Sequence, residues 1–312
     1  MKTPLLKIYK ARFLALCMGL ALLSSCAQLN YLDRAQDSFS KGAEIENRQL
    51  FGVNLNSDPG AAGNISDAVQ QELTSISPRF YYSQAYAEIQ KAVQKAPQLQ
   101  KDDLLGNALS IKALCEWKLK YYGKARTSAG EALVAFSASE VPSPRDQAVM
   151  IALDGFIEND MAYNALGELE TKIDNAISDR SPTQLEAMKL FDDIKSFYKQ
   201  NIISENGNAK IEKAIELIQK AKDQLSATHS LQSYLIMSQL ACVKNWSDAL
   251  NTIESSLKSL GLNDNGSSPR KWFDGEVDKY EASKEGLLEE LASKLSNQKS
   301  HPAYQQWEEL LF

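Results

Sequence analysis

The chain has 312 residues, of which 44% are hydrophobic, 8% aromatic and 24% charged, which suits one large helical domain or two smaller ones and excludes wholesale disorder. Four of its 34 basic residues (Lys2, Lys7, Lys10, Arg12) precede residue 26, where there are no acids, so the remainder carries 30 basic against 40 acidic side chains, a formal charge of −10. A surface of that sign repels nucleic acid and anionic lipid headgroups, and no nucleic-acid partner is expected.

The four basic residues lead into an apolar run, Phe13 to Leu23, of signal-peptide length and too short for a comfortable permanent span. The run ends in Leu23-Ser24-Ser25-Cys26, which resembles the bacterial lipobox, where a leucine and two small residues precede the cysteine that is acylated. A plain secretory peptide and a buried helix are the alternatives. The resemblance implies that residues 1–25 are a leader and that Cys26 becomes the first mature residue, carrying a lipid that fixes the protein to a membrane. Two or more chains anchor stably, since each buried methylene contributes about 0.8 kcal/mol. Ala27, rather than aspartate, follows the cysteine, and in similar lipoproteins of two-membrane bacteria this implies the outer membrane, facing the periplasm.

From Tyr31 to Arg48, Leu32, Ala35, Phe39 and Ala43 lie close to one helical face. Residues 52–63, with Asp58-Pro59-Gly60, read as a loop. A helix over 67–75 stops near Pro78, and another from Tyr81 to Lys95 stops before Pro97. Leu104, Ala108, Ile111, Cys115 and Leu119 make an amphipathic helix, and Gly123 is read as the turn into a second helix ending near Phe136. A helix from Asp146 to Ile177 is long enough to suggest an interruption at Asn159-Asp160. Ser181-Pro182 suits a helix start, with serine as cap. After Asn206-Gly207-Asn208 comes Ile211 to Leu225, then a hairpin of Leu231–Cys242 and Ser247–Leu260 turning at Trp246. Helices over 276–295 and 303–312 close the chain, the last reading as a cap or as a docking peptide. No β-strand is expected.

One pattern recurs. Ala125, Ala129 and Ala132 form a small-residue stripe at helical offsets of four and seven, repeated at Ala85/Ile89/Ala92, Ala214/Ile218/Ala221 and Ala249/Ile253/Ser256. Small residues so placed let a helix pack closely on its neighbour. An apolar helix, an aromatic or glycine turn and such a stripe together resemble the tetratricopeptide repeat. The match covers about half of the chain. No Trp-x-x-Leu-Gly-x-x-Tyr signature survives, and Glu116 sits where a tyrosine is expected. The resemblance implies an all-α, irregular helical-hairpin solenoid, with an ordinary bundle as the alternative, over residues 64–312, following a lipidated N-terminus, first helix and loop over 26–63.

The sequence offers little for catalysis. His229 and His301 have no second ligand at metal spacing, and no nucleophile elbow, zinc-protease motif or phosphate loop is present. Adjacent acidic pairs such as Asp192-Asp193 point about 100° apart on a helix and do not converge. Cys115 and Cys242 are expected as separate buried thiols. No cofactor and no enzyme activity are expected. If repeats stack, partners bind the face lined by first helices: Asn107, Ser110, Leu114 and Trp117 in one hairpin, Leu231, Tyr234 and Ser238 in the last. Trp117 and Tyr234 also read as packing residues. The expected role is a lipid-anchored adapter for an envelope protein. The alternative is an accessory of a periplasmic transport system that binds a small ligand.

Overall fold

The structure is a computed structural model and describes residues 27–51, 77–141, 143–177, 182–203, 210–295 and 299–311. Expectations for the leader, Cys26, the loop over 52–63, the helix over 67–75 and the turn at 206–208 lie outside the described residues. Those residues are all-α, with eleven α-helices and no strand among them. They are α1 (Ala27–Phe51), α2 (Pro78–Val93), α3 (Ala96–Lys101), α4 (Leu105–Lys118), α5 (Tyr122–Ser137), α6 (Pro144–Ile177), α7 (Gln184–Tyr198), α8 (Ile211–Asp223), α9 (Leu231–Ser259), α10 (Ser268–Lys294) and α11 (Pro302–Leu311). A π-helical turn, Lys199–Ile203, extends α7. Two compact units result, Met1–Asp146 and Gln147–Phe312.

In the first unit α1 pairs with α2 and α4 with α5. Leu32 and Ala35 of α1 meet Ile89 and Ala92 of α2, Leu99 of α3 and Ala108 of α4 in one buried cluster. Glycine permits both close approaches. A Cβ on Gly42 would stand 2.8 Å from the Tyr82 ring, and one on Gly106 would stand 2.6 Å from the ring of Phe136. The turn between α4 and α5 departs from expectation. Gly123 lies inside α5 with nothing near its Cβ position, and the left-handed residue is Lys120, at φ 65°. Tyr121 N–H donates to Glu116 C=O (2.7 Å) and Lys120 N–H to Trp117 C=O (2.8 Å), the paired bonds that close a helix C-terminus and demand that conformation.

In the second unit, α8 approaches α6 closely at Gly155, whose Cβ position is 2.8 Å from Ala214 C=O of α8. The helix runs without the interruption expected at Asn159-Asp160. Its polar side chains there are tied to other helices instead: Lys213 Nζ lies 2.9 Å from Glu158 and Asn245 Nδ2 donates to Asn159 at 2.9 Å. The expected hairpin at Trp246 is likewise absent, because α9 is a single helix of 29 residues. No glycine or proline interrupts 242–247, and Lys244 pairs with Asp248 across the supposed turn. Trp246 is buried on the helix, with its ring 6.2 Å from that of Tyr280 on α10. The cap of α7 is Thr183, two positions past the expected Ser181, which lies outside the described residues: the Thr183 hydroxyl accepts from Glu186 N–H while the Glu186 carboxylate accepts from Thr183 N–H (2.9 Å). Tyr304, Trp307 and Leu311 of α11 are buried, and Tyr280 donates to Leu311 C=O at 3.1 Å. The apolar face of α11 is therefore packed within the unit.

All four small-residue stripes are packing positions. Ala85, Ile89, Ala92, Ala125, Ala132, Ala214, Ile218, Ala221, Ala249 and Ile253 have no exposed surface, and Ala129 and Ser256 little.

Candidate functional site

The residues proposed to meet a partner fall in two places, each within its own unit. On α4, Asn107, Leu114 and Trp117 are half-buried and Ser110 is buried, its Oγ without a hydrogen bond. Asn107 Nδ2 donates to Asp146 at 3.1 Å, so its amide is already engaged. Lys118 Nζ sits 4.1 Å above the Trp117 ring, the geometry of a cation–π contact. On α9, Leu231 and Ser238 are half-buried and Tyr234 is exposed, its ring edge-on to Phe156 at 6.4 Å. Ser238 Oγ bonds back to Tyr234 C=O (3.0 Å). These three stand on an unbroken long helix and not on the first arm of a hairpin.

Three buried polar networks went unseen in the sequence. In the first unit Glu116, 1% exposed, accepts from Ser128 Oγ at 2.7 Å and from Tyr86 Oη at 3.2 Å, with Lys112 Nζ 3.7 Å away. Burial, and then the charge of Glu116, raise the Tyr86 phenol above its ordinary value of 10.0. Glu116 thus takes up, with Tyr86, a polar contact in the place where an aromatic was expected. In the second unit Trp246 Nε1 donates to Tyr198 Oη (2.7 Å), and Tyr198 donates in turn to Glu276 (3.2 Å), which also receives Lys279 (2.9 Å). The Tyr198 phenol is raised, first by burial and then by the Glu276 charge. Lys222, 3% exposed, donates to Gln239 at 2.9 Å and to Glu290 at 2.7 Å. Gln239 passes the chain on to Ile215 C=O, 3.0 Å away. Buried polar groups must be satisfied, and these networks join helices distant in sequence. Only the residue types were visible beforehand; the partners lie up to 78 positions away.

The cysteines and histidines also have local structural settings. Cys115 and Cys242 are free and buried, and burial raises both thiols, away from the reactive thiolate. Each histidine serves at a helix start: His229 Nδ1 accepts from Leu231 N–H (3.1 Å) and His301 Nδ1 from Ala303 N–H (3.2 Å). Among the described residues no cluster of three His, Cys, Asp or Glu side chains could hold a metal ion, and no helix is long and apolar enough to cross a membrane.

Two grooves stand out. In the first unit an apolar groove of about 790 Å³ is lined by Val134 of α5 and Ala138 just past it, Leu105 and Leu109 of α4, Val93 of α2 and Ala96 of α3. In the second, a polar groove of about 720 Å³ lies between α6 and α9, lined by Glu170, Asp174, Asn251, Thr252, Ser255 and Ser259.

No protein family, curated protein or solved structure matches the chain.

Proposed function

We propose that the protein is a lipid-anchored helical scaffold, with tetratricopeptide-like hairpins, that holds a partner protein at the periplasmic face of a bacterial membrane, the outer one by virtue of Ala27. The observation that carries this reading is the abutment of anchor and body. Cys26 immediately precedes α1, and that helix is committed to the core from its first turns, with Gln28 1% and Leu32 7% exposed. No linker separates the lipid from the fold, so an anchored first unit rests against the bilayer. The buried stripes in α2 and α5 and the α1/α2 and α4/α5 pairings support the repeat reading for that unit. The exposed Tyr234 and the half-buried Trp117 supply the aromatic character typical of interface anchors.

Radiolabelled palmitate tests the anchor: label is incorporated in the parent and lost in Cys26→Ala, and label persisting in the variant refutes the lipobox reading. In-cell crosslinking from Trp117 and Tyr234 tests the adapter role, with one envelope protein recovered from both positions as the supporting result. Its absence, or recovery of abundant bystanders only, counts against it.

The polar groove of the second unit favours one second reading, a ligand-binding accessory of a transport system. Two carboxylates, an amide and four hydroxyls, Ser256 included, suit a polar small molecule better than a protein segment. Native mass spectrometry of the mature protein would then show a retained small molecule.

A further inference from the structure

We infer that the apolar groove of the first unit takes an acyl chain of the lipid on Cys26 when that chain is out of a bilayer. The inference rests on the lipid-anchor reading above. It goes further in giving the groove an occupant.

The argument begins with position. Ala27 opens α1, and Gln28 Nε2 lies 3.5 Å from Asp102 Oδ2, at the C-terminal cap of α3. Two walls of the groove, Ala96 and Gln100, belong to α3, and Leu105 begins α4 three residues after Asp102. Ser139 Oγ, just past α5, donates to Asp103 at 2.7 Å. The start of α1 therefore lies at the end of the unit where α3 ends, α4 begins and α5 finishes, the end that also carries the groove residues Gln100, Leu105 and Ala138, and Cys26 precedes Ala27 in the sequence.

The chemistry of the groove fits a hydrocarbon chain. Val93, Ala96, Leu105, Leu109, Val134 and Ala138 supply an apolar trough, and its polar residues are Gln100 on α3 and Arg126, Thr127 and Glu131 on α5. At about 790 Å³ it lies in the range, roughly 300–1,000 Å³, of sites that take small organic ligands. Val134 stands 71% exposed in it, an apolar surface that water leaves uncompensated. Moving a tail from bilayer to groove exchanges one apolar setting for another, whereas moving it from water to groove is driven by the whole hydrophobic effect. The groove is thus filled when no membrane is present and yields its chain to one.

The test uses the mature lipidated protein with p-benzoylphenylalanine at Val134, diluted from detergent into buffer and irradiated. The expected product is an intramolecular link between the α5 peptide and the N-terminal lipopeptide, diminished when phospholipid vesicles are added first. Gly130→Leu fills the trough at a position where an added Cβ meets nothing within 4 Å, and it should abolish the link without unfolding the helix. A link that survives Gly130→Leu overturns the inference. So does an adduct to phospholipid, to another protein or to a second copy, or no adduct, while the N-terminal peptide is found lipidated. If that peptide carries no lipid, the anchor reading fails along with the inference, and its mass distinguishes the two failures.

Discussion

Removing a single oxygen from the second unit should be costly. Tyr198 has no exposed surface, and its hydroxyl both accepts from Trp246 Nε1 and donates to Glu276. In Tyr198→Phe the indole N–H, on a side chain 4% exposed, is left without an acceptor. A buried donor so orphaned costs about 1–3 kcal/mol, and a lost bond to a carboxylate adds about 1.5–3 kcal/mol. Glu276 keeps Lys279, which moderates the second figure, so the total is about 2–4 kcal/mol. Tryptophan emission during urea unfolding is a suitable assay, because Trp246, Trp272 and Trp307, three of the four tryptophans, lie in this unit. The Trp246→Phe and double variants complete a cycle. Once the indole is gone there is no donor to orphan, so the two substitutions should couple by about 1–2 kcal/mol. A Tyr198→Phe protein within about 0.5 kcal/mol of the parent, or a strictly additive cycle, would refute the reasoning.

The stripe and turn assignments are equally open to test. Ala125→Leu inserts bulk where no surface is exposed and should cost about 1–3 kcal/mol, whereas Gly123→Ala, with open space at its Cβ, should be neutral or stabilising in chemical denaturation. Lys120→Gly relieves a left-handed lysine and should raise stability by about 0.5–1 kcal/mol; a loss would mean that the lysine side chain holds the turn. The Glu254 carboxylate is lowered from 4.5, first by its bond from Lys258 and also by Arg270. Its stabilising contribution is present above the ordinary value and lost as pH falls through the lowered one. An NMR titration should place its midpoint below 4.5, moving up in Lys258→Met, and a midpoint at or above 4.5 would contradict the pairing. Cys115 and Cys242 should resist alkylation in the native protein and react once it is unfolded, and labelling without denaturant would show that either thiol is accessible.

Helical character, the extents of α2, α4 and α5 to within a few residues, and the meaning of the alanine stripes were all legible in the sequence. Each is a local property: propensity and a 3.6-residue period act over one or two turns. The expectation at Trp246 failed for an instructive reason. An aromatic before a small-residue stripe is compatible with a turn or with a continuing helix, and the choice depends on what the aromatic meets. Here it meets Tyr198 and Tyr280, 48 and 34 positions away, and the helix continues. The cap position differs more narrowly, because Thr183-x-x-Glu186 is a capping box written in the sequence itself, just past the proline at 182.

The candidate partner residues were legible only as positions on helices. Whether Asn107 is free or engaged depends on Asp146, 39 residues on. The networks around Glu116, Tyr198 and Lys222 were invisible for the same reason, since one charged residue on an apolar face does not name its partner.

By itself, then, the sequence determined that the chain is helical, where its close-packed alanines lie, and that a lipobox-like cysteine comes a few residues before a helical pattern opening at Tyr31. These follow from chemistry within a few residues. The tertiary structure alone decided which helices are continuous, that α1 begins at Ala27, which polar side chains pair in the interior, and that residues of α2, α3, α4 and α5 line one apolar groove. Those depend on contacts between segments far apart in the chain, where packing and the satisfaction of buried polar groups override any local preference.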